Sequence, residues 1–141
     1  MDGRNSHRGI NLDKITITKT QKQILTNHAQ KEIPNESCAI LFGKKNIVSE
    51  IFLTENIEES PINFTIANDQ LIEAYKTAEK NELEIIGIFH SHPNSIAYPS
   101  NTDKKFMHSN PVVWVIYSGV EKNFRAFTLD LDIIEIPINE I

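Results

Sequence analysis

Apolar and polar positions alternate in a way that names most elements of the chain. Ile15 and Ile17 are spaced by threonines across Lys14–Thr18, the period of a short half-buried strand. Thr20 followed by Gln23 resembles a capping box, and Ile24, Leu25, His28 and Ala29 share one face of the helix that would follow. Pro34 ends that helix. Cys38–Phe42 is a compact apolar run, short enough for a buried strand, and Lys44-Lys45-Asn46 turns it into a second strand, Ile47–Thr54. The stretch Glu55–Ala67 is irregular and holds Pro61. Asn68 or Asp69 then caps a helix with an apolar face of Leu71, Ala74, Tyr75 and Ala78. Leu83–Phe89 reads as a strand, Pro93–Pro99 as a loop, and Ser100–His108 as a short helix stopped by Asn110-Pro111. Val112–Tyr117, Asn123–Leu129 and Ile133–Ile138 are three late strands. The order β-α-β-β-α-β-α-β-β-β predicts a mixed sheet with helices packed on it, an α/β or α+β domain.

Composition narrows the possibilities. At 141 residues, 40% hydrophobic and 23% charged, the chain suits one globular domain. It is too short for a (β/α)₈ barrel, which needs roughly 200 residues or more. Met1–Leu12 mixes Gly, Asn, Ser, Arg and Asp without period and is expected to be a flexible arm preceding a domain over residues 13–141. Fourteen basic against 19 acidic residues give a net charge of −5, which argues against a nucleic-acid partner. No apolar run approaches the roughly 18 residues of a membrane span. The polar N-terminus lacks the apolar core of a secretory signal, so a cytoplasmic protein is expected. A single cysteine, Cys38, excludes an internal disulfide and any cysteine-rich zinc site, leaving His, Asp and Glu as metal ligands.

Gly87-Ile88-Phe89-His90-Ser91-His92-Pro93 carries the densest chemistry. Side chains two apart on a strand point to one side, so His90 and His92 aim their rings together while Ser91 faces away. Two imidazoles on one zinc, at about 2.0–2.1 Å each, need this convergence. Ser100-Asn101-Thr102-Asp103 follows the loop. Alone it reads as a helix N-cap with an acid in the first turn. A first-turn side chain also projects back toward the helix start, so Asp103 would point at the loop leaving His92. Two histidines and a carboxylate leave a fourth zinc position for water. Glu36, at the mouth of the strand starting near Cys38, is the acid best placed to serve as a base; its plain reading is a solvated acid at a strand entry.

Glu36, His90-Ser91-His92-Pro93, the seven residues Pro93–Pro99 and then Ser100-x-x-Asp103 resemble the JAMM motif of the MPN+ metallopeptidases. The likeness in element order covers nearly the whole chain, from about Lys14 to Ile138, and implies a single MPN-like domain with a mixed sheet flanked by helices. Inactive MPN− relatives lack some of these ligands, and this chain lacks none. The resemblance implies that His90, His92 and Asp103 hold one Zn²⁺ per chain. It implies that Glu36 is the general base and then the proton donor to the leaving amine, and that Ser100 stabilises the oxyanion. Zinc brings the pKa of water to about 7, within reach of a nearby carboxylate. Many relatives have Glu-x-Cys-Gly after the first acid; Ala39 replaces that glycine here, and a modest local adjustment is expected.

The implied reaction is hydrolysis of the amide or isopeptide bond that follows the Gly-Gly tail of ubiquitin or a ubiquitin-like modifier. Such a tail suits a groove as an added strand, with Glu55–Ala67 and Ser95–Tyr98 as rims. The alternatives are a peptidase acting on a sulfur-carrier adduct or another small amide, and a zinc-binding scaffold active only in a complex. A metallo-β-lactamase-type site is excluded because Asn94 and Ser95 stand where Asp and His are needed. A zinc deaminase needs Pro-Cys-x-x-Cys, which one cysteine cannot supply. His28, Trp114 and Cys38 are expected to pack, His108 to close the short helix, and Lys104-Lys105 to be solvated beside the site.

Overall fold

The computed structural model describes residues 13–141, so the expected arm over Met1–Leu12 lies outside the described residues. Eight strands are described: β1 (Ile15–Ile17), β2 (Cys38–Lys44), β3 (Ile47–Thr54), β4 (Glu84–His92), β5 (Val113–Ser118), β6 (Asn123–Asp130), β7 (Asp132–Ile136) and β8 (Ile138–Glu140). The helices are α1 (Lys19–Glu32), α2 (Asn68–Lys80) and α3 (Asn101–Ser109). All eight strands form one mixed sheet in the order β7-β6-β5-β4-β2-β3-β1-β8. β4 runs parallel to β5, while its other neighbour, β2, is antiparallel.

The expected strand Ile133–Ile138 is in fact two strands. Pro137, with no N–H to give a ladder, separates β7 from β8, and the pieces pair at opposite edges of the sheet. One residue can bridge the two edges only if the sheet curls back on itself. The concave side therefore encloses a core shared by both edges, from Ile15 on β1 to Ile136 on β7, with Leu41, Phe89 and Val115 between. Leu25 and Ala29 of α1 cover it. The other face carries Cys38, Trp114, Ile116 and Phe127, packed against Met107 of α3 and Phe64 of the segment between β3 and α2, and Ile40 and Phe42 beneath Ala74 and Ala78 of α2.

The local signals of the sequence are present in kind, some of them shifted along the chain. The capping box sits on Thr18 and Gln21, not Thr20 and Gln23: Gln21 N–H donates to Thr18 Oγ1 (3.0 Å) and Thr18 N–H to Gln21 Oε1 (2.9 Å). Gln21 Nε2 also donates to Val48 O on β3, a tertiary bond that favours this register. The second helix starts one residue early, after Ala67, with no side-chain cap from Asn68 or Asp69. Tyr75 and Ile24 stay exposed although they fall on the expected apolar faces, because contact with the sheet narrows to Leu71, Ala74 and Ala78 on α2 and to Leu25 and Ala29 on α1.

Candidate active site and metal centre

β4 runs unbroken through His92, the last residue before Pro93. Its alternation sends Phe89 and Ser91 toward the α1 side and His90 and His92 toward the face under α3. The two Nε2 atoms stand 3.0 Å apart. Ser100 caps α3: its Oγ accepts from Asp103 N–H (3.0 Å) and its own N–H donates to Asp103 Oδ2 (2.9 Å). The cap therefore holds the carboxylate back over the helix start. Asp103 Oδ2 lies 3.1 Å from His90 Nε2 and 3.2 Å from His92 Nε2. The plain reading of Ser-x-x-Asp and the metal-site reading coincide, since capping is what aims the acid.

Three donor atoms at 3.0–3.2 Å form a nearly equilateral triangle. Tetrahedral ligands about 2.0–2.1 Å from zinc stand about 3.3–3.4 Å from one another, so the set fits that ion with small adjustment. The tautomer of His92 suits it too. Its Nδ1–H donates to Ile96 O (2.8 Å), which leaves the Nε2 lone pair facing the triangle. Burial pushes His90 down and keeps it neutral. Burial also pushes Asp103 up, but the imidazoles of His90 and His92 against Oδ2 outweigh it and hold the acid well below the usual carboxylate range.

Glu36 precedes β2 and is 3% exposed, so it is not the solvated acid of the plain reading. Its Oε2 lies 3.9 Å from His92 Nε2, and its Oε1 is buried without a hydrogen-bond partner. Glu36, His90 and His92 thus form a second, looser donor set, with ligand atoms within 4.8 Å of one another. Burial pushes the Glu36 carboxyl up to about 8; His92 opposes this, and Asp103 and Glu58 add to it.

All five residues singled out in the sequence, Glu36, His90, His92, Ser100 and Asp103, come together. The bland assignments hold as well. His28 Nε2 meets the carbonyls of Cys38 (3.0 Å) and Thr54 (3.2 Å), away from the donor triangle. Cys38 is fully buried, accepts from Thr54 Oγ1, and has its thiol pushed up to about 11 by burial. Trp114 is core, and its ring stands edge-on to His90 with centroids 5.8 Å apart. Sequence reasoning missed Phe64, whose ring stacks on His90 at 4.7 Å, and Asn56, a buried amide beside Glu36. Both lie in the irregular stretch, where no period marks which residues turn inward.

A family model of the prokaryotic homologs of the JAB domain matches residues 18–130. The chain belongs to this family. It is thus a prokaryotic JAMM/MPN member, as the motif implied. The desampylase of Pyrococcus furiosus is 38% identical over 94 residues, which cover 67% of this chain and 66% of that protein. The CysO-cysteine peptidase of Mycobacterium tuberculosis is 26% identical over 121 residues, 81% of this chain and 82% of its own. The solution structure of a Desulfitobacterium hafniense protein superposes with a TM-score of 0.83 at 29% identity, covering 90% of this chain and 92% of that one. The JAB-family chain thus spans about two thirds of the Pyrococcus desampylase, and the mycobacterial relative is named a peptidase.

Proposed function

We propose that this JAB-family protein is a zinc-dependent isopeptidase that hydrolyses the amide bond after the C-terminal tail of a ubiquitin-like protein. The observation that carries the reading is the buried triangle of His90 Nε2, His92 Nε2 and Asp103 Oδ2 with the Glu36 carboxylate beside it. His90, His92 and Asp103 would hold one Zn²⁺, which when bound supplies a Lewis acid for the scissile carbonyl and acidifies water.

The protein groups divide the remaining work. Glu36 Oε1 is free of other hydrogen-bond partners, so in its ionised form it suits taking a proton from water. The same atom then returns that proton to the departing amine. Ser100 Oγ accepts the Asp103 N–H, so its own proton remains to be donated to the oxyanion. Ile96 O fixes the His92 ring through Nδ1. No acyl-enzyme is required, and the buried Cys38 thiol is spent on packing.

The name of the Pyrococcus relative supports a modifier–protein conjugate as substrate; that of the mycobacterial relative supports the second reading, a sulfur-carrier adduct. Incubation with an isopeptide-linked ubiquitin-like conjugate, with and without a chelator, tests the proposal. Cleavage at the tail that the chelator abolishes and zinc restores is the expected result. Cleavage only of a carrier–cysteine adduct would move the substrate to the second reading, and chelator-insensitive cleavage would remove the metal from the mechanism.

A further inference from the structure

The base is held by a loop, not by the sheet. Glu36 N–H donates to Ser60 O (2.9 Å), and Glu36 O accepts from Asn56 Nδ2 (3.0 Å). Both partners lie in the segment between β3 and α2. Asn56 is 6% exposed and uses its full hydrogen-bonding capacity. Its Nδ2 also donates to Asn63 O (2.9 Å) and approaches Ser60 O (3.4 Å). Its Oδ1 accepts from Glu58 N–H (3.0 Å) and Thr65 N–H (3.2 Å). One amide thus gathers the loop and grips the main chain of Glu36 at once. The far end of the same loop, Phe64, lies flat on the His90 ring.

We infer that Asn56 is a positioning residue for Glu36: its Oδ1 folds the loop, and its Nδ2 transmits that fold to the base. The inference rests on the isopeptidase reading for its kinetic consequence and on geometry alone for the rest. The two halves of the amide separate by substitution. Asn56→Ala removes both. Asn56→Asp keeps the acceptor that orders Glu58 and Thr65 and removes the donor that ties Glu36 O to Asn63 O and Ser60 O of the loop. A displacement of the base by about 1 Å is enough to cost on the order of 100-fold in rate.

The test takes the wild-type protein and both variants through three measurements: zinc stoichiometry by elemental analysis, amide hydrogen exchange, and kcat and KM on a ubiquitin-like conjugate. In both variants one zinc is retained and KM stays within about threefold, while kcat falls roughly 10- to 100-fold. Exchange at the Glu36 amide rises at least tenfold, whereas that of Phe89 in β4 is unchanged. Rescue of kcat and of Glu36 protection by Asn56→Asp would overturn the proposal, because loop folding would then be the whole role. So would a Glu36 amide that stays protected in both variants, or loss of the fold in both. If the wild-type protein cleaves no conjugate, the isopeptidase reading fails, and the exchange comparison alone decides whether Asn56 holds Glu36.

Discussion

Ser91 sits between the two histidines but faces the other way, and replacing it with alanine tests how the segment entering β2 is joined to β4. Ser91 Oγ accepts the Ser37 N–H at 2.9 Å and lies 2.9 Å from Ser37 Oγ. A third bond, Ser91 N–H to Ser37 O (3.0 Å), is main chain and survives the substitution. Both serines are 1% exposed, so water cannot replace what is lost. Ser91→Ala leaves a buried amide with no acceptor, at about 1–3 kcal/mol, and removes a hydroxyl pair worth about 0.5–1.5 kcal/mol. The expected loss is therefore roughly 2–4 kcal/mol. Ser37→Ala removes the hydroxyl pair but keeps the amide bonded to Ser91 Oγ, and should cost only about 1 kcal/mol. Urea unfolding of chelated wild type, the two single variants and the double variant measures this. Metal must be equally absent from all four, since a bound ligand shifts apparent stability. The transition slope should be unchanged, the midpoint of Ser91→Ala should fall by about 1–3 M, and the two substitutions should couple. A Ser91→Ala protein within about 0.5 kcal/mol of wild type, or no weaker than Ser37→Ala, would refute the assignment of the Ser37 amide to this oxygen.

Elemental analysis of protein purified without chelator should give one zinc per chain, and Asp103→Asn should lower the affinity by breaking the donor triangle; a folded wild-type sample with no zinc would reject the site. Glu36→Gln should retain zinc and lose about 100- to 10,000-fold in hydrolysis, and a variant cleaving at the wild-type rate would show that Glu36 is not the base. Cys38 should resist alkylation at neutral pH until the chain unfolds, because the thiol is buried and shifted up to about 11; modification of the native protein within minutes would contradict the packing. Gly43→Ala would place a Cβ 1.9 Å from Ile47 O in the β2–β3 hairpin. A cost at or above the upper end of about 1–3 kcal/mol should follow, lowering the melting temperature by roughly 10 °C; an unchanged melt would refute it.

The parts of the site that were legible in the chain are those governed by a period. The convergence of His90 and His92 follows from strand alternation, and the aim of Asp103 from the direction of a first-turn side chain, so both could be placed before any contact was known. Glu36 was legible only through the family motif, since nothing local distinguishes a buried acid at a strand mouth from a solvated one. Asn56 was not legible at all. Its role depends on a loop whose turns bring Ser60, Asn63 and Thr65 round one amide, and such a loop has no repeat to read. The same limit explains the late strands. The isoleucines at 133, 134, 136 and 138 suggest continuity, and only the curl of the sheet reveals that Pro137 is where the chain passes from one edge to the other.

This division has a physical consequence for the chemistry. His90 and His92 belong to a central strand paired on both sides, and Asp103 to a capped helix, so the candidate metal set is built on elements that open only with much of the domain. Glu36 lies two residues before β2, and its main-chain polar groups are satisfied by the loop alone. Metal affinity should therefore be insensitive to loop substitutions that change turnover, and a series of variants across residues 55–66 should scatter widely in kcat at nearly constant zinc affinity. A correlated loss of both across that series would mean that Phe64 on the His90 ring, not Asn56 at the base, is the contact through which the loop acts.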